Sequence, residues 1–241
     1  MFNLCNLFSY LGFYLQTCLK KSGLIMSKQN RYNKYKKLIC EIGKRMYQNG
    51  FISSTDGNIS IRVDKNLFLC TPSNVSKGDL NPKQIILTNN KCEVLEGKGS
   101  VSSEFYTHLS AYDERKDISA IVHAHPTYSI VLSLIDISMC TPILPELIMT
   151  LGEVPTTEYA TPGSKEGAEI IKPWIRNHNA LILKSHGVFT VGKDLIQAYS
   201  YLERVEHSAK ILFLAHLIHK PSVLSEEQYL KLTQKLHLPN S

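Results

Sequence analysis

Ala120-Ile-Val-His-Ala-His125, followed at once by Pro126, is the stretch that decides the fold. Its short apolar run reads as a strand that stops at the proline. Pro126 has the fixed φ that suits the first turn of a helix, and an apolar helix is expected from there through Leu134. Side chains alternate faces along a strand, so His123 and His125, two apart, project the same way. Two imidazoles at that spacing can share one metal ion. Taken alone, the pair reads equally well as two half-exposed histidines at a strand end.

Upstream of this strand, Leu38, Ile39, Ile42 and Met46 are spaced for one face of a helix over 31–49, which Gly50 stops. Asn58–Val63 alternates and predicts a strand, with Leu67–Cys70 as its partner across Asp64-Lys-Asn66. Gln84–Thr88 and Cys92–Leu95 read as two more strands around Asn89-Asn90. Ser102 and Ser103 predict the cap of a helix running to about Arg115, with Glu104 in its first turn. Downstream, Thr141–Leu151 is a less regular apolar stretch, and a helix is expected from Ser164 towards Trp174. Ala180–Leu183 and Val188–Val191 predict strands flanking His186-Gly187. A long helix from Leu195 to about His219 and a short one over Ser225–Leu236 close the chain. Strands set among helices at hairpin spacing predict one α/β domain with a largely antiparallel sheet.

The 241 residues suit one domain with a buried core, or one domain plus tails, and 43% are hydrophobic. The net charge of +6 comes from scattered lysines and arginines. A nucleic-acid interface would need a basic stripe with interleaved aromatics, so no nucleic-acid partner is expected. The six cysteines, Cys5, Cys18, Cys40, Cys70, Cys92 and Cys140, form no C-x-x-C pair. Reduced thiols in a cytoplasmic protein, packed as small apolar side chains, account for them. Residues 1–25 are expected to be an N-terminal extension outside the functional fold, and 26–241 the domain itself. The first 19 residues carry no charge, and Lys20 and Lys21 follow, the reverse of a signal peptide. Their polar residues also make a poor membrane anchor, and no membrane partner is expected for the core domain.

Two further residues complete a metal set. His186 sits at a strand–turn junction before Gly187, and Glu104 lies near a helix start. Three imidazoles and one carboxylate make a tetrahedral donor set for zinc. The competing readings are a solvent-facing turn histidine and an acid that favours the helix dipole. His108, one turn after Glu104, reads as helix surface. Three polar turns, Thr55-Asp-Gly-Asn58, Thr71-Pro-Ser-Asn74 and Ser102-Ser103, offer hydroxyls and backbone N–H groups of the kind a phosphate takes. Each alone is also simply a turn.

Taken together and in order, six segments resemble the class II aldolase/adducin-head family. They are Ser54-Thr-Asp-Gly-Asn-Ile-Ser60, Thr71-Pro-Ser-Asn-Val-Ser-Lys-Gly78, Ser102-Ser-Glu-Phe-Tyr-Thr-His108, Ile121-Val-His-Ala-His-Pro126, Tyr159-Ala-Thr-Pro-Gly-Ser164 and Lys184-Ser-His-Gly187. The resemblance covers about residues 32–238 and is closest to the fuculose-phosphate aldolase type. It implies a single three-layer α/β/α domain around the antiparallel sheet and a homotetramer with sites at subunit interfaces. It implies that His123, His125, His186 and Glu104 hold Zn2+, with Glu104 also an acid/base. Gly57, Asn58, Ser73, Asn74, Ser102 and Ser103 fall on its phosphate-binding positions. Asn74 stands where glycine is usual, and asparagine tolerates left-handed backbone. Glu146 falls near the place of a second acid supplied by a neighbouring subunit. The implied reaction is cleavage of a sugar 1-phosphate to dihydroxyacetone phosphate and an aldehyde through a metal-stabilised enediolate. Epimerisation, dehydration and decarboxylation of a phosphosugar are the related alternatives, and a non-catalytic scaffold is the other class.

Overall fold

A computed structural model describes residues 28–234. The expected N-terminal extension, Cys5, Cys18, His237 and the end of the last predicted helix lie outside them. Seven strands form one sheet: β1 Asn58–Asp64, β2 Leu67–Cys70, β3 Ile86–Asn89, β4 Val94–Glu96, β5 Ala120–Ala124, β6 Ala180–Leu183 and β7 Gly187–Gly192. Their order is β4-β3-β2-β1-β5-β7-β6. Every ladder is antiparallel. Among the described residues, the one parallel pairing is an isolated bridge between Thr156 and Ile182. The helices are α1 over 28–48, α2 Phe105–Glu114, α3 Thr127–Leu134, α4 Pro145–Leu151, α5 Lys165–Ile170, α6 Lys172–Ile175, α7 Leu195–Ile218 and α8 Glu226–Thr233.

Alternation along the central strands builds the expected three layers. Ala120, Val122 and Ala124 of β5 join Ile59, Ile61 and Val63 of β1 under α1, α3, α4 and α7. Ile121 of β5 and Phe189 and Val191 of β7 face the other way, against Phe105, Ala111 and Tyr112 of α2 and Ile175 of α6. His123 shares that second face with Ile121, so it looks towards α2.

The polar face of β1 meets α2 instead of water. Asn58 Nδ2 donates to Glu104 Oε2 at 2.7 Å, just before the helix. Ser60 Oγ lies 2.7 Å from His108 Nδ1 and 2.9 Å from the Tyr112 hydroxyl. Arg62 donates to the carbonyls of Tyr112, Arg115, Lys116 and Ile118. The last carbonyls of a helix have no partner within it, and the guanidinium supplies one. Three alternate residues of one strand therefore fix α2 along its length, and with it Glu104. At the far end of β5, Glu206 of α7 accepts from the Tyr128 and Ser129 amides at 2.8 and 2.9 Å. That carboxylate at the first turn of α3 anchors the chain just past His125.

Four boundaries differ from expectation. Gln84 belongs to a 3-10 turn capped by Asn81 and opened by Pro82, so β3 starts at Ile86. The Asn89 side chain accepts from the Lys91 and Glu93 amides, which holds Cys92 in a turn at φ 62° and delays β4 to Val94. The Thr141–Leu151 stretch contains a true helix, α4, opened by Pro145. The single helix expected after Ser164 breaks at Ile171 into α5 and α6. Gly50, at φ 68°, ends α1 as its position predicts.

Candidate metal centre

Glu104, His123, His125 and His186 each present one donor atom, all within 4.8 Å of one another. His123 Nε2 lies 3.1 Å from His125 Nε2 and 3.3 Å from His186 Nε2. Glu104 Oε1 is 3.2 Å from His186 Nε2 and 3.6 Å from His123 Nε2. Four ligands at 2.0–2.1 Å in a tetrahedron stand about 3.3 Å apart, so the donor set fits one small divalent ion. Other contacts orient the rings. His123 Nδ1–H donates to the Val188 carbonyl at 3.0 Å, which turns the Nε2 lone pair towards the cluster. His125 Nδ1 lies 3.5 Å from Asp56 Oδ2. Burial pushes His123 down to about 3 and lowers His125. Burial alone would raise Glu104, but His123 and His186 outweigh it and hold the carboxyl below its ordinary range. A carboxylate that stays ionised is the form in which Glu104 ligates a metal.

Each ligand reaches this point by a local device. His125 lies one residue past β5 and still turns inward, with its amide bonded to the Phe51 carbonyl at 2.8 Å. His186 lies in the tight connection between β6 and β7. The left-handed residue there is Ser185 at φ 59°, not Gly187. Gly187 is needed for space: a Cβ on it would lie 2.2 Å from the Ala124 carbonyl and 2.9 Å from His125 Cδ2. Gly187→Ala should destabilise the fold by about 1–3 kcal/mol and displace His125, and so loosen the metal. Chemical denaturation and metal titration of the variant check both effects; unchanged metal affinity would separate Gly187 from the site.

Glu104 and its serines are arranged differently from the expected cap. The helix begins at Phe105, and Glu104 precedes it in a turn at φ −76°, ψ −6°. The Ser102 hydroxyl accepts from the Glu104 amide at 3.3 Å. Freed from the helix, the Glu104 side chain swings to the imidazoles. His108 is not helix surface: it is 1% exposed, and burial pushes it down to about 3. Its Nε2 and Asn58 Oδ1 are buried without a partner among the described residues. Both residues border a cavity of ≈ 20 Å³ beside Glu104, His123 and His186, walled opposite by Thr157 and Gly163. That volume is about the room one water molecule needs.

The three polar turns are neighbours in the fold, and of the six candidate phosphate residues Asn58 is the one that borders this cavity. Thr71 Oγ1 accepts from the Ile59 amide at 3.2 Å, and Pro72 pairs with Val101. Gly57 and Asn74 take φ of 68° and 57°, so asparagine does occupy the left-handed position where glycine is usual. Two of the six candidate phosphate residues are partly committed elsewhere. The Ser73 amide donates to the Ser100 carbonyl at 3.0 Å, which leaves Ser73 its hydroxyl. Asn58 Nδ2 serves Glu104. Glu146 is exposed in the first turn of α4 and does not border the cavity. Reasoning from sequence passed over Asp56, behind His125, and Lys77, whose Nζ bonds the Thr55 and Val75 carbonyls.

The fold and this donor set define a protein with a Glu/His3 cluster of the kind that holds one divalent ion. The chain belongs to the family described as Class II Aldolase and Adducin N-terminal domain, matched over residues 37–213. It is 32% identical to a 3-oxo-tetronate 4-phosphate decarboxylase of Haemophilus influenzae, over 74% of this chain and 86% of that one. It is 34% identical to an L-fuculose phosphate aldolase of Methanocaldococcus jannaschii, over 77% of this chain and 99% of the other. A solved structure of L-fuculose 1-phosphate aldolase superposes with a TM-score of 0.75 at 33% identity, covering 83% and 94% of the two chains.

Proposed function

We propose that the chain is a zinc-dependent aldolase that cleaves a sugar 1-phosphate to dihydroxyacetone phosphate and an aldehyde. The observation that carries this reading is the cluster of three imidazoles and Glu104, with their donor atoms within 4.8 Å of one another, in a fold that sets the phosphate-type turns next to each other. A zinc ion held by those residues would supply Lewis-acid stabilisation of negative charge on the substrate's carbonyl oxygen. Glu104, kept ionised and oriented by Asn58, moves the proton on the adjacent carbon. Gly57, Asn74, Ser73, Ser102 and Ser103 hold the phosphate, and its binding energy fixes the reacting carbons in place. Glu146 serves as the second acid/base on the departing aldehyde's oxygen, reaching the site of a neighbouring copy. Leu217 and Ile218, exposed at 67% and 87% at the end of α7, support such an assembly, which we take to be a homotetramer. The described cysteines, all free, support a cytoplasmic setting.

Likeness to a decarboxylase of a 3-oxo acid phosphate favours a second reading. Breaking the carbon–carbon bond of such an acid releases CO2 and leaves its electron pair on the carbonyl oxygen, as in aldol cleavage. One assay separates the two. Zinc-loaded protein is given ketose 1-phosphates and, in parallel, a 3-oxo-tetronate 4-phosphate, and dihydroxyacetone phosphate, aldehyde and CO2 are measured. Aldehyde formed with dihydroxyacetone phosphate supports the aldolase; CO2 release with no aldehyde supports the decarboxylase. No product in either arm overturns both.

A further inference from the structure

The six candidate phosphate residues, Gly57, Asn58, Ser73, Asn74, Ser102 and Ser103, are all uncharged. A phosphate dianion gains most from a nearby cation, because charge-assisted hydrogen bonds are about twice as strong as neutral ones. Lys77 lies under the turns, 2% exposed. Its ammonium donates to the Thr55 carbonyl in the first turn, and to the Val75 carbonyl at 3.0 Å just past the second. One buried side chain therefore ties the two turns together.

Among the described residues the charge on Lys77 has no carboxylate partner. No carboxylate oxygen lies within 4 Å of it among the described residues. The nearest acids are engaged elsewhere: Asp56 leans on His125, and Glu104 faces the imidazoles. Both still act on Lys77 from a distance. A buried cation without an anion is costly unless a ligand supplies one. Two carbonyls use two of the three ammonium hydrogens, so the arrangement also leaves one donor.

We infer that Lys77 is the positioning residue and countercharge of the anion site, locking the two turns into one cradle for a phosphate dianion. This rests on the phosphosugar reading above and adds a residue to it. The site is built in advance, so substrate binding spends little on ordering these turns. Burial pushes Lys77 down to about 8, which makes its charge readable by pH. The groups facing it are Asp56 from the first turn, Glu104 before α2, and Tyr47 of α1 packed on neighbouring Gly78.

The test is binding of inorganic phosphate, by calorimetry, to full-length zinc-loaded wild type and to Lys77→Met. Lys77→Met should weaken phosphate by at least about tenfold while metal content stays at the wild-type level. Wild-type affinity should decline between about pH 8 and 9.5, where phosphate is already dianionic. Lys77→Met should lack that decline. Wild-type behaviour alone decides if the variant does not fold: an affinity flat across that range overturns the assignment. Equal phosphate affinity in the two folded proteins also overturns it, and leaves the phosphosugar reading intact. A wild type that binds no phosphate while turning over a substrate overturns the cradle itself.

Discussion

His123→Ala should leave the protein without its metal. Wild type is expected to hold about one divalent ion per chain, and the variant less than about a tenth of that. His123 is the hub of the donor set. Its Nε2 stands 3.1, 3.3 and 3.6 Å from the donor atoms of His125, His186 and Glu104. Removing a partner that merely orients a ligand already weakens metal by about 10–100-fold, so losing this ligand should exceed that. Turnover should fall by about three orders of magnitude, since a Lewis acid contributes several kcal/mol to such a barrier. Elemental analysis after gel filtration reads the stoichiometry. Thermal melting with and without added zinc reads it a second way, because a ligand that binds only the folded state raises the transition temperature. The wild type should shift on zinc addition and the variant should not. Full metal content in a folded His123→Ala protein would move the ion elsewhere and sink the site.

His123 was legible in the sequence because a short apolar strand carries its own period. Two histidines two apart on Ala120–His125 can hardly avoid sharing a face, even though β5 ends at Ala124. The antiparallel sheet was legible from the hairpin spacing of its strands, helped by the alternation along β1. What β1 does with its polar face was not. Asn58, Ser60 and Arg62 look like the wet side of a half-buried strand, yet each bonds α2 or the turn before it. A period-2 pattern gives the side of a residue, not what covers it. His108 was misjudged through the same gap, since its partner Ser60 lies 48 positions away. Lys77 was passed over because a lysine in a polar loop is ordinarily solvated. Burial of its ammonium arises from two turns 22 and 2 residues distant, which only the folded chain brings together. The serines before Glu104 misled by being good helix caps: the local propensity was real, but the helix begins one residue later.

That one-residue difference sets up the second large effect, Glu104→Gln. The side chains are nearly the same size, so packing is preserved and what changes is charge and hydrogen-bond capacity. The carboxylate is used at both ends: Oε2 accepts from Asn58 Nδ2 at 2.7 Å, while Oε1 lies 3.2 Å from His186 Nε2 in the metal cluster. A glutamine has one acceptor and one donor end, so it can satisfy Asn58 or the metal centre but not both. It also carries no proton between solvent and substrate carbon. Three imidazoles remain to hold the ion, so metal binding should weaken and persist, whereas the rate should drop by about 10²–10⁴-fold. The readout need not await the identity of the aldehyde. Dihydroxyacetone phosphate placed in D2O with the zinc-loaded wild type should exchange a carbon-bound hydrogen for deuterium, followed by NMR. Glu104→Gln should lose that exchange by the same factor at saturating ligand, with little change in apparent affinity. A purely structural acid at a helix start predicts something else: a stability loss of about 0.3–1 kcal/mol and unaltered exchange. Exchange at the wild-type rate in a folded, metal-loaded Glu104→Gln protein would assign the proton to another group. Lost exchange at full metal content would identify Glu104 as the residue that moves it.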